Sequence, residues 1–115
     1  MLSEKKVSYT TQNTYTTVNS YSEKTKHIWL VFHGLGYLSR YFARYFSELN
    51  SEENFIIIPQ APSKYYLGSK FKHVGASWLT KENTIEETAN VLAYVDAVVE
   101  TEMPISQANL IILGY

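Results

Sequence analysis

The chain contains no cysteine, which excludes disulfides, thiolate metal ligands and a cysteine nucleophile from this segment. It has only three prolines and five glycines in 115 residues, and no low-complexity tract, internal repeat or domain linker interrupts it. Charge of one sign is lacking as well: ten Lys and Arg stand against eleven Asp and Glu, for a net charge of −1. Without a basic stripe to neutralise a phosphate backbone, nucleic-acid binding is disfavoured. No apolar run approaches the roughly 20 residues of a membrane span. The stretch from Met1 to Lys6 is polar and charged, so no signal peptide is visible and a cytoplasmic location is expected. The three histidines, His27, His33 and His73, are isolated, with no H-x-x-x-H spacing. They give no metal site, and no cofactor is implied.

What is present is apolar and aromatic. Hydrophobic residues make up 45% of the chain and aromatics 15%, enough to bury a core and to exclude a disordered chain. Three short apolar runs stand out: Ile28 to Phe32 (IWLVF), Phe55 to Ile58 (FIII) and Leu110 to Leu113 (LIIL). Each is continuous rather than alternating, as expected of a strand buried on both faces of a parallel sheet. Between the first two, Phe42, Tyr45, Phe46 and Leu49 recur at helical spacing and predict a helix over Ser39 to Leu49, with Ser39 as N-cap. A second helix is predicted from Thr84 to Glu102. Ile85, Ala89, Leu92, Val95 and Val99 form its apolar stripe, Glu86 and Glu87 lie in its first turn, Asn83 or Thr84 caps it, and Pro104 ends it.

The remaining segments are less regular. Val7 to Tyr21 is rich in Thr, Tyr and Val, and with Gln12-Asn13 as turn it predicts two polar antiparallel strands at an edge. Gln60 to Lys81 shows no clean period and reads as a long loop, a length usually associated with function. Alternating buried strands and helices imply a parallel sheet whose ligands sit beyond the carboxyl ends of its strands. Since 115 residues is short for a doubly wound enzyme fold, the chain is expected to be an incomplete part of one.

The strand exits carry the chemistry. Gly114-Tyr115 after a buried strand is how a nucleophile elbow, G-x-S-x-G, begins. His33-Gly34-Leu35-Gly36 is placed to give the oxyanion of an acyl-transfer intermediate a backbone donor, the N–H of Leu35, with Gly34 and Gly36 permitting the sharp turn. A phosphate-cradling loop fits less well, because G-x-G-x-x-G and a P-loop lysine are absent. His33 reads as a turn-bonding residue rather than a general base. Tyr65, Tyr66, Phe71 and Trp78 either line an acyl groove or cover the sheet edge. Lys64, Lys70 and Lys72 read as solvated, and Asp96 as a helix flank.

Taken in order, VFHGLG at Val31 to Gly36, PQAP at Pro59 to Pro62, Ser77-Trp78, and LIILGY at Leu110 to Tyr115 resemble the phospholipase and carboxylesterase family, which includes the acyl-protein thioesterases. The resemblance runs from about Ile28 to the end. It implies an α/β-hydrolase-type domain: a mainly parallel sheet with helices on both faces and an N-terminal antiparallel hairpin. Residues 1–115 would be the N-terminal half of that single domain, ending just before the nucleophilic Ser. It further implies a Ser, Asp, His triad with no member inside this chain, Leu35 as backbone oxyanion donor, and Gly34, Gly36, Gln60 and Trp78 around the substrate. Where relatives carry an acidic residue after HGLG and after the tryptophan, this chain has Tyr37-Leu38-Ser39 and Leu79-Thr80.

The expected function is hydrolysis of a small-molecule carboxylic ester or thioester through an acyl-enzyme, with no membrane span and no nucleic acid involved. The alternatives are a non-catalytic α/β binding domain on the same scaffold, since fold does not fix function, and a flavodoxin-like nucleotide binder.

Overall fold

The computed structural model describes residues 1–102 and 108–115. Among these residues six strands and two α-helices follow one another: β1 (Tyr15–Val18), β2 (His27–Phe32), α1 (Ser39–Phe42) running into a 3₁₀ turn (Ala43–Phe46), β3 (Asn54–Pro59), β4 (Ser63–Leu67), β5 (His73–Ser77), α2 (Thr84–Glu102) and β6 (Asn109–Gly114). The main sheet has the order β1-β3-β2-β6. Within it β2 is parallel to β3 and to β6, while β1 runs antiparallel to β3. Strands β4 and β5 pair antiparallel as a separate two-stranded sheet.

The two inner strands divide their side chains by the two-residue period of a pleat. Ile28, Leu30, Phe55 and Ile57 point to one face and pack on Val98 and Tyr94 of α2. Val31, Ile56 and Ile58 point to the other and pack on Phe42 and Phe46. A third, smaller cluster of Leu38, Ala61 and Ala76 joins β5 to the main body beside Trp78.

The expected α/β-hydrolase-type class is overturned. The sheet is mixed, a second antiparallel sheet stands beside it, and strands outweigh helix among the described residues. The N-terminal hairpin does not form: residues 1–14 are irregular and only β1 is a strand. Asn13 is not a turn residue. Its side-chain amide donates to the Gln60 carbonyl (2.9 Å) and its Oδ1 accepts from the Thr14 N–H (2.9 Å), which anchors the segment so that β1 pairs with β3 instead of with its own neighbour.

The first helix is one α turn followed by one 3₁₀ turn, shorter than the Ser39 to Leu49 expectation. Leu38, not Ser39, occupies the N-cap and offers no side-chain acceptor. The Ser39 N–H is taken by Gln60 Oε1 (2.9 Å), and its hydroxyl bonds Thr16 Oγ1 (3.0 Å). The buried anchors, Phe42 and Phe46, lie within two turns, and Leu49 packs on the same cluster from the turn that follows the helix.

The segment expected to be a loop, Gln60 to Lys81, contains the β4–β5 hairpin. Every residue of β4 is exposed, so the alternation that marks a half-buried strand was never available to read. Helix α2 keeps its expected span but only the C-terminal part of its expected stripe. Val95 and Val99 of that stripe turn inward together with Val91, Tyr94 and Val98, whereas Ile85, Ala89 and Leu92 stand in solvent. The proposed stop at Pro104 lies outside the described residues. Among the described residues β6, expected to be a buried strand, pairs with β2 alone and is largely exposed.

Candidate functional site

Because β2, β3 and β6 are mutually parallel through β2, their carboxyl ends share one end of the sheet. The loops leaving them meet there, held by hydrogen bonds rather than by apolar packing alone. The Ala61 N–H, after β3, donates to His33 Nε2 (3.0 Å), and His33 Nδ1 lies 2.9 Å from the Gly34 carbonyl. A ring nitrogen that accepts carries no proton, so the ring is the neutral Nδ1–H tautomer, donating to Gly34. His33 is only 1% exposed, and burial holds its pKa below the ordinary 6.5 against the weaker opposing pull of the Gly34 carbonyl. With both nitrogens occupied, it ties two strand exits together and is not positioned as a general base.

The turn after His33 is tight. Tyr37 N–H donates to the Gly34 carbonyl (3.2 Å) and Gly36 has φ +86°, the combination of a four-residue turn with glycine at its third position. Gly36 N–H donates to the Ala76 carbonyl (2.9 Å), and the Ala76 N–H returns a bond to the Tyr37 carbonyl (3.1 Å). The β5 backbone therefore lies directly against the turn. A Cβ on Gly75 would stand 2.4 Å from the Gly36 carbonyl oxygen, so only glycine fits there. On the other side, a Cβ on Gly34 would meet Tyr115 at 3.2 Å.

Leu35 occupies the apex of this turn, its side chain 71% exposed. Among the described residues its N–H has no hydrogen-bond partner, unlike those of Gly36 and Tyr37 on either side of the turn's end. An open cleft of about 730 Å³ adjoins it, with Ser63 and Tyr65 from β4, Ser77 at the end of β5, and Trp78 among its walls. The Trp78 indole donates to the His33 carbonyl (2.7 Å), and its ring packs on His33 and Phe32 at centroid distances of 5.3 and 5.6 Å. The wall is thus fixed to the same loop that carries Leu35.

Of the residues expected around a substrate, Leu35 and Trp78 come together at the cleft, and Gly34 and Gly36 shape the turn. Gln60 does not reach it. It is buried, and its four polar groups are all used: Oε1 on Ser39, Nε2 on the Ala61 carbonyl, the N–H on Tyr94 Oη, and the carbonyl on Asn13. Tyr94 was not singled out from sequence, yet its hydroxyl also donates to the Thr14 carbonyl and so joins α2 to the segment before β1. Burial raises its pKa above the usual 10, the Gln60 N–H opposing. Gly75 was missed too, although an isolated glycine in a β-rich stretch signals a close backbone approach.

His27 begins β2 at the far end of the sheet, and His73 is exposed on β5. Among the described residues no three His, Asp or Glu side chains group as metal ligands, and no helix is long and apolar enough to cross a membrane. The Ser77 hydroxyl donates to the Leu79 carbonyl (2.9 Å), and no imidazole is free beside it. No family model matches the chain, and no curated protein matches it significantly.

Proposed function

We propose that this chain supplies the oxyanion-binding turn and one cleft wall of a serine-dependent hydrolase of carboxylic esters or thioesters, of the phospholipase and carboxylesterase kind. The observation that carries the reading is the unpartnered Leu35 N–H, at the apex of a rigidly braced turn beside an open cleft. A preformed donor that is not consumed by the protein's own hydrogen bonding is what a developing oxyanion requires, and one such donor lowers the barrier by about 3 kcal/mol.

The nucleophile in this reading is a Ser directly following Tyr115, with Asp and His supplied by sequence further on. The Tyr115 N–H bonds the Phe32 carbonyl (3.1 Å), and a Cβ on Gly34 would stand 3.2 Å from Tyr115, which supports a following residue lying near the Leu35 turn. Its hydroxyl would add to the carbonyl carbon of the substrate as a base removes the hydroxyl proton, leaving the negative oxygen to accept from Leu35. Collapse would expel the alcohol or thiol with that proton, and water would then release the acid from the acyl-enzyme.

Two measurements on the full gene product test this. The codons after Tyr115 are expected to read Ser-x-Gly, and a fluorophosphonate is expected to label that Ser. Leu35→Pro removes the donor while suiting the second position of the turn, and kcat is expected to fall by roughly a hundredfold or more. Failure to label, or full activity in Leu35→Pro, overturns the assignment; no labelling at all would make the cleft that of a non-catalytic binding domain.

A further inference from the structure

We propose that the β4–β5 hairpin is a docking element for an anionic lipid surface, with the side chains of its tip entering the headgroup region. Between Ser63 and Ser77 there are three lysines (Lys64, Lys70 and Lys72) and no Asp or Glu, while the chain as a whole is at −1. The acidic groups therefore all lie elsewhere. None of these three lysines has an ion-pair partner among the described residues, in contrast to Lys6, Lys24 and Lys26, which pair with Glu86, Glu52 and Glu53. The charge is thus local, uncompensated and carried on a projecting element.

Apolar mass accompanies that charge where no core explains it. Tyr66 and Val74 are directly opposed across the two strands, and Tyr66 stacks edge-on against Phe71 at 5.3 Å. All three are exposed, Phe71 at 68%. Phe71 also has φ +55°, a left-handed conformation that is costly for a bulky residue. The connecting turn, Gly68 to Lys72, thus holds an aromatic ring outward against both hydration and backbone preference. Aromatic rings with interleaved lysines suit the membrane interface: the rings sit at headgroup depth and the lysines meet anionic lipid. Partnership with nucleic acid is less well matched, because the lysines form a short cluster rather than a stripe that tracks a phosphate backbone.

The test is vesicle binding by the full protein. Co-sedimentation is expected with vesicles of phosphatidylcholine mixed with phosphatidylserine, not with phosphatidylcholine alone, and it is expected to weaken as salt rises. Each lysine near such a surface contributes about fivefold in partitioning, so Lys64→Glu/Lys70→Glu/Lys72→Glu should lose at least about a hundredfold. The same charge change at Lys5, Lys24 and Lys26 should leave binding largely intact. Tyr66→Ser/Phe71→Ser should lose roughly tenfold or more with folding unchanged by circular dichroism, since both side chains are exposed. Because the sequence has no cysteine, Ser69→Cys accepts an environment-sensitive fluorophore whose emission should shift to the blue on binding. Equal binding to both vesicle types overturns the proposal, as does retained binding by the triple hairpin variant. A fluorophore that stays in water while the protein sediments also overturns it, as does capture of single-stranded nucleic acid in place of vesicles.

Discussion

Phe55-Ile56-Ile57-Ile58 and Leu110-Ile111-Ile112-Leu113 are close to the same word, and both become strands parallel to β2. Their surroundings differ completely. β3 lies between β1 and β2 with helices on both faces, and all six of its residues are buried. Among the described residues β6 has β2 on one side only, and five of its six residues are exposed, Ile112 at 65%. Apolarity and β-branching bring a segment into a sheet; they do not tell it whether it will stand inside or at the margin.

The sharpest way to break that comparison is to shorten the same residue type in both strands. Ile57→Ala removes packing between β3 and α2 and is expected to destabilise by about 2–5 kcal/mol. Ile112→Ala is expected to change stability by less than about 1 kcal/mol. Urea unfolding of both variants, read as midpoint and slope, checks this, and equal losses would mean that β6 is covered in solution.

Glycine offers a second contrast. Gly75→Ala drives a methyl into the Gly36 carbonyl and is expected to cost about 1–3 kcal/mol. A Cβ on Gly114 of β6 meets nothing within 4 Å, so Gly114→Ala is expected to be near neutral. A tolerated Gly75→Ala would show that the hairpin does not press on the Leu35 turn.

A comparable effect distinguishes the exits of the inner strands from that of β6. Burial keeps His33 below its ordinary value of 6.5, so the folded state favours the neutral ring and the unfolded chain takes up the proton first as pH falls. The stability from the neutral ring is therefore complete above pH 6.5 and declines below it, until the folded ring protonates as well. His33→Asn should remove this part of the pH dependence, with a loss of about 1–3 kcal/mol at neutral pH for the Ala61 N–H left unpaired. A stability-versus-pH curve unchanged by His33→Asn would place the ring outside that bond. The smallest expected effect is from Leu110→Thr on the exposed edge, within about 0.5 kcal/mol by the same unfolding assay.

Much of the site could be read along the chain, because glycines and short apolar runs act locally. IWLVF followed by His33-Gly34-Leu35-Gly36 marks the turn, and Trp78 lies with Leu35 on the same open cleft. Gln60 was misplaced because a buried amide satisfied four ways and an amide facing a ligand look the same in sequence. The hairpin within Gln60 to Lys81 was missed because neither face of β4 is buried, so no alternation was imposed on it. Of the α2 stripe, Val95 and Val99 are inward while Ile85 and Leu92 are not, for a related reason. Several apolar stripes are available on a helix with Ile85, Leu92, Val91 and Val98, and which one turns inward depends on the sheet beneath it.

By itself the sequence determined that this chain would build strands from its three apolar runs, a long helix from Thr84 to Glu102, and a glycine-defined turn at Leu35. These follow from steric and hydrophobic preferences expressed within a few residues. Only the tertiary structure decided that β1 would pair with β3, that FIII would be buried between β1 and β2, and that His33, Ala61, Gly36 and Ala76 would bond across distant loops. Such pairings depend on which hydrogen-bonding edges and apolar faces remain open once the neighbouring elements have docked, and that is a property of the assembled sheet rather than of any segment in it.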